Sequence, residues 1–255
     1  SCMNDLQWQR NGHDHGAALA RDLGITTVYV HYNTGLHISE NGRKLSDLLE
    51  TLIELSRKPL KLYIITHSMG GLVSRSACHY AEISGRVWLN QLQKTVFIGT
   101  PHQGAMLEKA GNWVTILLGI SPYSAPFSRL GKIRSAGITD MRYGNVVDDD
   151  WKGRDRFDCA GDRRNPLPLP QDVKCYAIAA TTAKEACRVM DDVYGDGLVT
   201  LNSALGKHKN PDLQLDFPDT HQWVGRNMNH MDLLDHPAVY SRIKTFFCNQ
   251  PVSIS

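Results

Sequence analysis

Residues 61–75 read KLYIITHSMGGLVSR, and the order of residue types in that stretch decides the fold. Leu62 to Thr66 are mostly apolar, β-branched or aromatic, which predicts a short buried strand. Residues 71–83, GLVSRSACHYAEI, predict a helix. Between the two lies T-H-S-M-G, the strand–turn–helix setting in which a serine stands at the apex of a sharp turn. That turn demands small residues two places before and two places after the serine. Here they are Thr66 and Gly70, and Gly71 gives the helix room to pack close. Thr66 stands where G-x-S-x-G has glycine; it is β-branched but still short. Serine is also a good helix N-cap, but the strand before, the helix after and the two glycines behind favour a nucleophile. In that geometry the Met69 N–H points at a developing oxyanion, aided by the helix N-terminus.

Outward from this stretch, helix and strand patterns alternate. HDHGAALARDLG predicts a helix with Gly24 just past its end. Thr26–Tyr32, TTVYVHY, predicts a strand. Between Gly42 and Ser56, Leu45, Leu48, Leu49, Leu52 and Leu55 make a helical face, which Lys58-Pro59 ends. Thr95–Gly99 and Val173–Ala180 predict two further buried strands, and Leu213–Phe217, LQLDF, a last one. PAVYSRIKTFF closes the pattern as a helix with Pro237 in its first turn. Alternation of this kind predicts an α/β class fold: a mostly parallel sheet with helices on both faces. The rhythm breaks at residues 105–135, which carry an apolar patch, and at 140–172, which are polar. We expect one domain over 1–255, with cap or lid insertions within 105–172.

The bulk properties narrow the partners. A chain of 255 residues with 42% hydrophobic and 21% charged residues can bury a large core. A net charge of +2 gives no electrostatic reason to expect nucleic acid. The strongest apolar run, Trp113–Ile120, is too short to span a bilayer. No cysteine pair has C-x-x-C spacing, so metal and redox readings are weak. The cysteines read best as buried hydrophobes or free thiols; in an exported protein Cys159 and Cys187 would be the first pair to test. Localisation therefore leans cytoplasmic, with secretion open. The Asp148–Asp150 run reads as a solvated loop, with calcium a minor alternative. His13 and His15 read as loop or cap residues, since no third metal ligand lies at useful spacing. His102 reads as a structural loop residue.

A serine hydroxyl needs a base to take its proton and a carboxylate to orient that base. In a strand–elbow–helix fold the chain order is serine, acid, histidine. Asp196, between two glycines in VYGDGLVTL after the Val173 strand, is the leading acid, ahead of Asp191, Asp192, Asp219 and Asp232. His230, in MNHMDLL before the closing helix, is the leading base, ahead of His221 and His236.

Taken together, THSMGGLVSR, FIGTPHQGA, YGDGLV and NHMDLL resemble the α/β-hydrolase lipases and carboxylesterases, especially bacterial lipase-like enzymes. The resemblance runs from near residue 1 to about residue 245. It implies Ser68, Asp196 and His230 as a triad for ester hydrolysis, with no cofactor and a small-molecule or lipid ester as substrate, in transient contact with lipid surfaces. It also implies a strand ending in His-Gly just before SCMNDLQW, so that Ser1 or Cys2 would lie near the second oxyanion donor beside Met69. An upstream segment is therefore expected. Trp113, Leu117, Leu118, Tyr123 and Phe127 would line an acyl pocket. The same triad serves amidases and thioesterases, and a hydrolase-like binding domain without catalysis is the alternative from another class.

Overall fold

The computed structural model describes residues 8–56, 58–105, 135–153, 162–184 and 195–248. Four parallel strands form one sheet in the order β1-β2-β3-β4: β1 (Leu62–His67), β2 (Leu92–Ile98), β3 (Lys174–Thr181) and β4 (Gln222–Arg226). The helices that matter to the site are α1 (His15–Leu23), α2 (Ile38–Leu55), α3 (Met69–Ile83), α4 (Trp88–Gln91), α5 (Ala136–Tyr143), α6 (Leu201–Ala204) and α7 (Pro237–Cys248).

The period of two along each strand sorts side chains to two faces. Ile65, Val96, Ile98, Tyr176, Ile178 and Ala180 meet Leu19 of α1 and Val239, Ile243 and Phe246 of α7. On the opposite face, Phe97, Cys175, Ala177 and Ala179 meet α6 together with Leu215 and Phe217. On that face too, Leu62, Ile64 and Leu92 meet Leu49 of α2, Ala77, Cys78 and Ala81 of α3, and Trp88 of α4. Both faces of a parallel sheet are thus covered, which explains the nearly continuous apolar runs of β2 and β3. Cys78 and Cys175 are buried free thiols, and burial raises the Cys175 pKa to about 12; Cys248 is free and exposed. The Cys159 and Cys187 pairing lies outside the described residues.

Several expectations need correction. LQLDF is not a strand. Leu213, Leu215 and Phe217 are buried, so the alternation correctly marks a buried face, but the segment lies across the sheet face and the Leu215 N–H bonds Gly206 O instead of a ladder. The fourth strand is QWVGR, at the sheet edge, where half-burial weakens the apolar signal. Thr26–Tyr32 joins no ladder among the described residues. It keeps a strand's alternation, with Val28 68% and Val30 39% exposed, while Thr27 Oγ1 bonds Gly16 O (3.0 Å) and the Tyr29 hydroxyl bonds the Asp14 carboxylate (2.7 Å). α2 begins at Ile38 rather than Gly42, because Asp140 accepts the Ile38 N–H (2.9 Å) from about a hundred residues away.

The Asp148–Asp150 run is a 3-10 turn in which Asp149 is exposed but its two neighbours are tied into the protein. Asp148 pairs with Arg43 of α2 and with Lys152 (2.6 Å). Asp150 is 6% exposed and accepts N–H groups of Val146 (2.8 Å), Val147 (3.0 Å) and Asn165 (2.8 Å). A carboxylate with that many backbone donors is a structural anchor.

At the elbow, Gly71 and not Gly70 is the intolerant glycine. A Cβ at Gly70 would find its nearest atoms at 3.7 Å, whereas one at Gly71 would overlap the fully buried Thr100 side chain. Gly71→Ala is expected to cost about 1–3 kcal/mol by overpacking, and Gly70→Ala much less. Thermal melts of the two variants check this; equal midpoints would refute it.

Candidate active site

β1 delivers the chain to Ser68 at φ 54°, ψ −127°, a left-handed value that a residue with a Cβ seldom adopts. Two hydrogen bonds hold the turn: Ser68 N–H donates to Ile98 O (2.9 Å), and Ser68 O accepts from Gly71 N (3.0 Å). The next residue, Met69, heads α3, where N–H groups have no intrahelical acceptor. Thr66 fits because its side chain turns into the sheet, with Oγ1 on Val96 O (3.3 Å).

Asp196 sits in the loop after β3, and His230 in the loop after β4. Parallel strands bring both loops to the same edge of the sheet as the elbow, at the strands' carboxyl ends. The two loops zip together. His230 N–H donates to Asp196 O (3.1 Å), and His230 Nδ1 donates to Asp196 Oδ2 (2.6 Å). The other carboxylate oxygen accepts from the backbone N–H of Leu198 (2.9 Å) and Val199 (2.8 Å). A carboxylate only accepts, so Nδ1 carries the proton and the neutral ring leaves Nε2 as an acceptor. Ser68, Asp196 and His230 are all buried. Ser68 Oγ and His230 Nε2 have no hydrogen-bond partner among the described residues.

The rival residues do other work. His221 Nδ1 bonds Cys175 O (3.0 Å). His236 accepts from Ala238 N (3.2 Å) at the start of α7. Asp232 accepts from Asn229 N (2.8 Å), shaping the loop that carries His230. Asp219 lies in a separate 3-10 turn. Asp191, Asp192, Ser1, Cys2 and the acyl-pocket residues Trp113, Leu117, Leu118, Tyr123 and Phe127 lie outside the described residues. Among the described residues no group of three or more His, Cys, Asp or Glu side chains could hold a metal ion, and no helix is long and apolar enough to cross a membrane.

Sequence reasoning missed the residues that hold His230 in place. His67 donates from Nε2 to His230 O (3.1 Å), its ring 4.5 Å from the His230 ring. Burial holds its pKa well below the usual value, and the neighbouring His230 adds to this. Gly99 has φ 55°, and a Cβ there would stand 3.0 Å from His230 Cε1 and 2.8 Å from Leu233 Cδ1. His15, the first residue of α1 after its Asp14 N-cap, is fully buried and bonds Leu233 O (3.0 Å) through Nε2, while His13 Nε2 donates to its Nδ1 (2.8 Å). Arg10 reaches Asp235 (3.2 Å) in the same loop. Only His67 carried a local signal, its place beside the serine; the H-D-H spacing says nothing of a partner over two hundred residues away. His102 packs its ring against Phe97 (4.9 Å) and Phe217 (5.5 Å) as a buried structural residue.

Burial lowers the His15 pKa from 6.5 to about 4. The unfolded chain therefore takes up a proton below pH 6.5 that the folded chain refuses until about pH 4. Stability falls as the pH drops through that window, by about 3 kcal/mol in all from this group. His15→Gln keeps a donor for Leu233 O without a titrating group. Its melting midpoint is expected to fall less steeply between pH 6.5 and 4 than the parent's; parallel curves would refute the assignment.

Comparison with known proteins agrees on the architecture. A family model described as a domain of unknown function (DUF7379) matches residues 16–136. No curated protein matches the sequence. Among solved structures, the chain is similar to the lipase BlEst2 of Bacillus licheniformis in mature form, at 14% identity and TM-score 0.59, covering 96% of this chain and 87% of that one. It is also similar to the propeptide form of the same lipase, at 15% identity and TM-score 0.63, covering 98% of this chain and 48% of that one, so it spans about half of that longer chain. At such identities the likeness speaks to fold: this is an α/β-hydrolase fold.

Proposed function

We propose that this chain is a serine hydrolase of carboxylic esters, a lipase or carboxylesterase in type. The observation that carries the reading is the buried Asp196–His230 pair at 2.6 Å, with its outer ring nitrogen left as an acceptor at the sheet edge where the strained Ser68 turn stands. A positive-φ serine between a strand and a helix has a steric cost that an ordinary N-cap would not incur.

In this reading Ser68 Oγ attacks the ester carbonyl as His230 Nε2 takes its proton. Asp196 holds the imidazole in the Nδ1–H tautomer and balances the cation that forms. The Met69 N–H, with a second donor near Ser1 or Cys2, stabilises the tetrahedral oxyanion. His230 then protonates the leaving alcohol. Water, activated by the same ring, releases the acid. The chemistry calls for no cofactor. Residues 105–172 serve as cap or lid insertions of a single domain over 1–255, and Trp113, Leu117, Leu118, Tyr123 and Phe127 form the acyl pocket.

A fluorophosphonate probe tests the reading, since it labels only a serine that is activated as a nucleophile. One adduct on Ser68 by peptide mass is expected; none would favour a non-catalytic domain. Rates on matched p-nitrophenyl esters, acyl thioesters and anilides then rank the chemistry. Faster anilide than ester cleavage would overturn the esterase assignment in favour of an amidase, and faster thioester cleavage would favour a thioesterase.

A further inference from the structure

Two residues of the quoted motifs have no part in the chemistry: Arg75, which ends THSMGGLVSR, and His102, in FIGTPHQGA. Both are buried, at 6% and 1% exposure. Arg75 donates from Nη2 to Leu167 O (2.6 Å), but its Nε finds no acceptor among the described residues. Neither ring nitrogen of His102 has a partner there either. Buried nitrogens are seldom left so, because folding has then taken away their water and returned no hydrogen bond.

Arg75 and His102 line one cavity of about 10 Å³, room for a single water molecule. The other polar side chains around it are engaged. Asp150 accepts from Val146 N and Val147 N through Oδ2, and from Asn165 N and Nδ2 through Oδ1. Arg164 donates to His102 O (3.2 Å), Gln103 Oε1 (2.9 Å) and Asp162 (2.6 Å). Gln103 Nε2 donates to Gly206 O (3.0 Å) and Leu213 O (2.7 Å). Two groups are left. Arg75 Nε–H can only donate. Burial and the Arg75 charge keep the His102 ring neutral, with one N–H and one bare nitrogen.

We propose that this cavity binds one water molecule, which accepts from Arg75 Nε–H and donates to the bare nitrogen of His102. Water does both. A chloride ion only accepts, is larger, and would meet the Asp150 carboxylate in the same wall. Position gives the water a task. Arg75 lies on α3, which begins at Met69 beside Ser68, and His102 lies in the loop that begins at Gly99, against the His230 ring. The bridge ties these two pieces of backbone together, close to where Gly71 lies against Thr100. It holds whether or not Ser68 is a nucleophile, so its test needs no activity.

High-resolution diffraction from crystals grown in bromide gives the first reading. One peak without anomalous signal is expected, about 3 Å from both Arg75 Nε and a ring nitrogen of His102. Anomalous signal at that peak would make the occupant a halide, and a direct contact between the two side chains with no peak between them would remove the site; either overturns the proposal. In solution, oxygen-17 magnetic relaxation dispersion counts long-lived waters. The count is expected to fall by about one in His102→Phe, which keeps a ring of similar shape without nitrogens, and by about one in Arg75→Met. Lys58→Gln, outside the cavity, should keep the parent count. Equal counts in the parent and both cavity variants overturn the site. Should one variant fail to fold, the other variant and the parent crystals still decide.

Discussion

Ser68→Ala is expected to lower kcat on a p-nitrophenyl ester by about 10⁶, with a residue of catalysis over water from binding and the remaining oxyanion donors. The reason is that nucleophile, base and acid act as a unit: without Oγ, the proton acceptor on His230 has nothing useful to activate. It follows that His230→Ala alone should cost about as much, and that the double variant should be no slower than either single one. Steady-state kinetics with active-site titration checks this. Two independent losses that multiply would show that the residues do not cooperate in one step, and a Ser68→Ala enzyme within about tenfold of the parent would remove Ser68 from the mechanism altogether.

Asp196→Asn is the second large effect, a loss of about 10⁴ in kcat. Its size follows from which way the new amide must face. Leu198 and Val199 N–H both point at one carboxylate oxygen (2.9 and 2.8 Å), so the amide carbonyl has to occupy that place. The amide NH₂ is then turned toward His230 Nδ1, which must accept instead of donate. The ring proton moves to Nε2, and the nitrogen that should receive the serine proton already carries one. Because the packing is nearly isosteric, the melting midpoint should change little compared with the rate. Rate and melting curves measured on one preparation separate the tautomer effect from unfolding; activity within a factor of ten of the parent would mean that Asp196 does not set the tautomer.

The local features were readable because they obey local rules. Strand, turn and helix around Ser68 follow from residue types within about fifteen positions, and α3 simply begins two residues earlier than its apolar pattern. α7, with Pro237 in its first turn, and α1, ended by Gly24 in the left-handed region (φ 66°), were legible for the same reason. The failures share a cause too. The alternation at Leu213–Phe217 records that one side of the segment is buried, which is equally true of a chain lying across a sheet and of one within it. Only a neighbour's backbone distinguishes them, and for Thr26–Tyr32 no described strand supplies that neighbour. The start of α2 depended on Asp140, and the acidic run at 148–150 looked solvated because its partners Arg43 and Asn165 lie elsewhere in the chain.

By itself, then, the sequence determined the alternating α/β class, the elbow turn and the order in which serine, aspartate and histidine occur, since these are written in propensities, turn chemistry and chain order. Tertiary structure alone decided that His230 and not His221 or His236 meets Asp196, that His15, His67 and Gly99 hold that ring in place, and that Gly71 is the glycine with no room to spare. Each of these is a contact between residues tens to hundreds of positions apart. Such contacts come into being only when parallel strands set their carboxyl-end loops side by side, and no periodicity along one segment can record what will be packed against it.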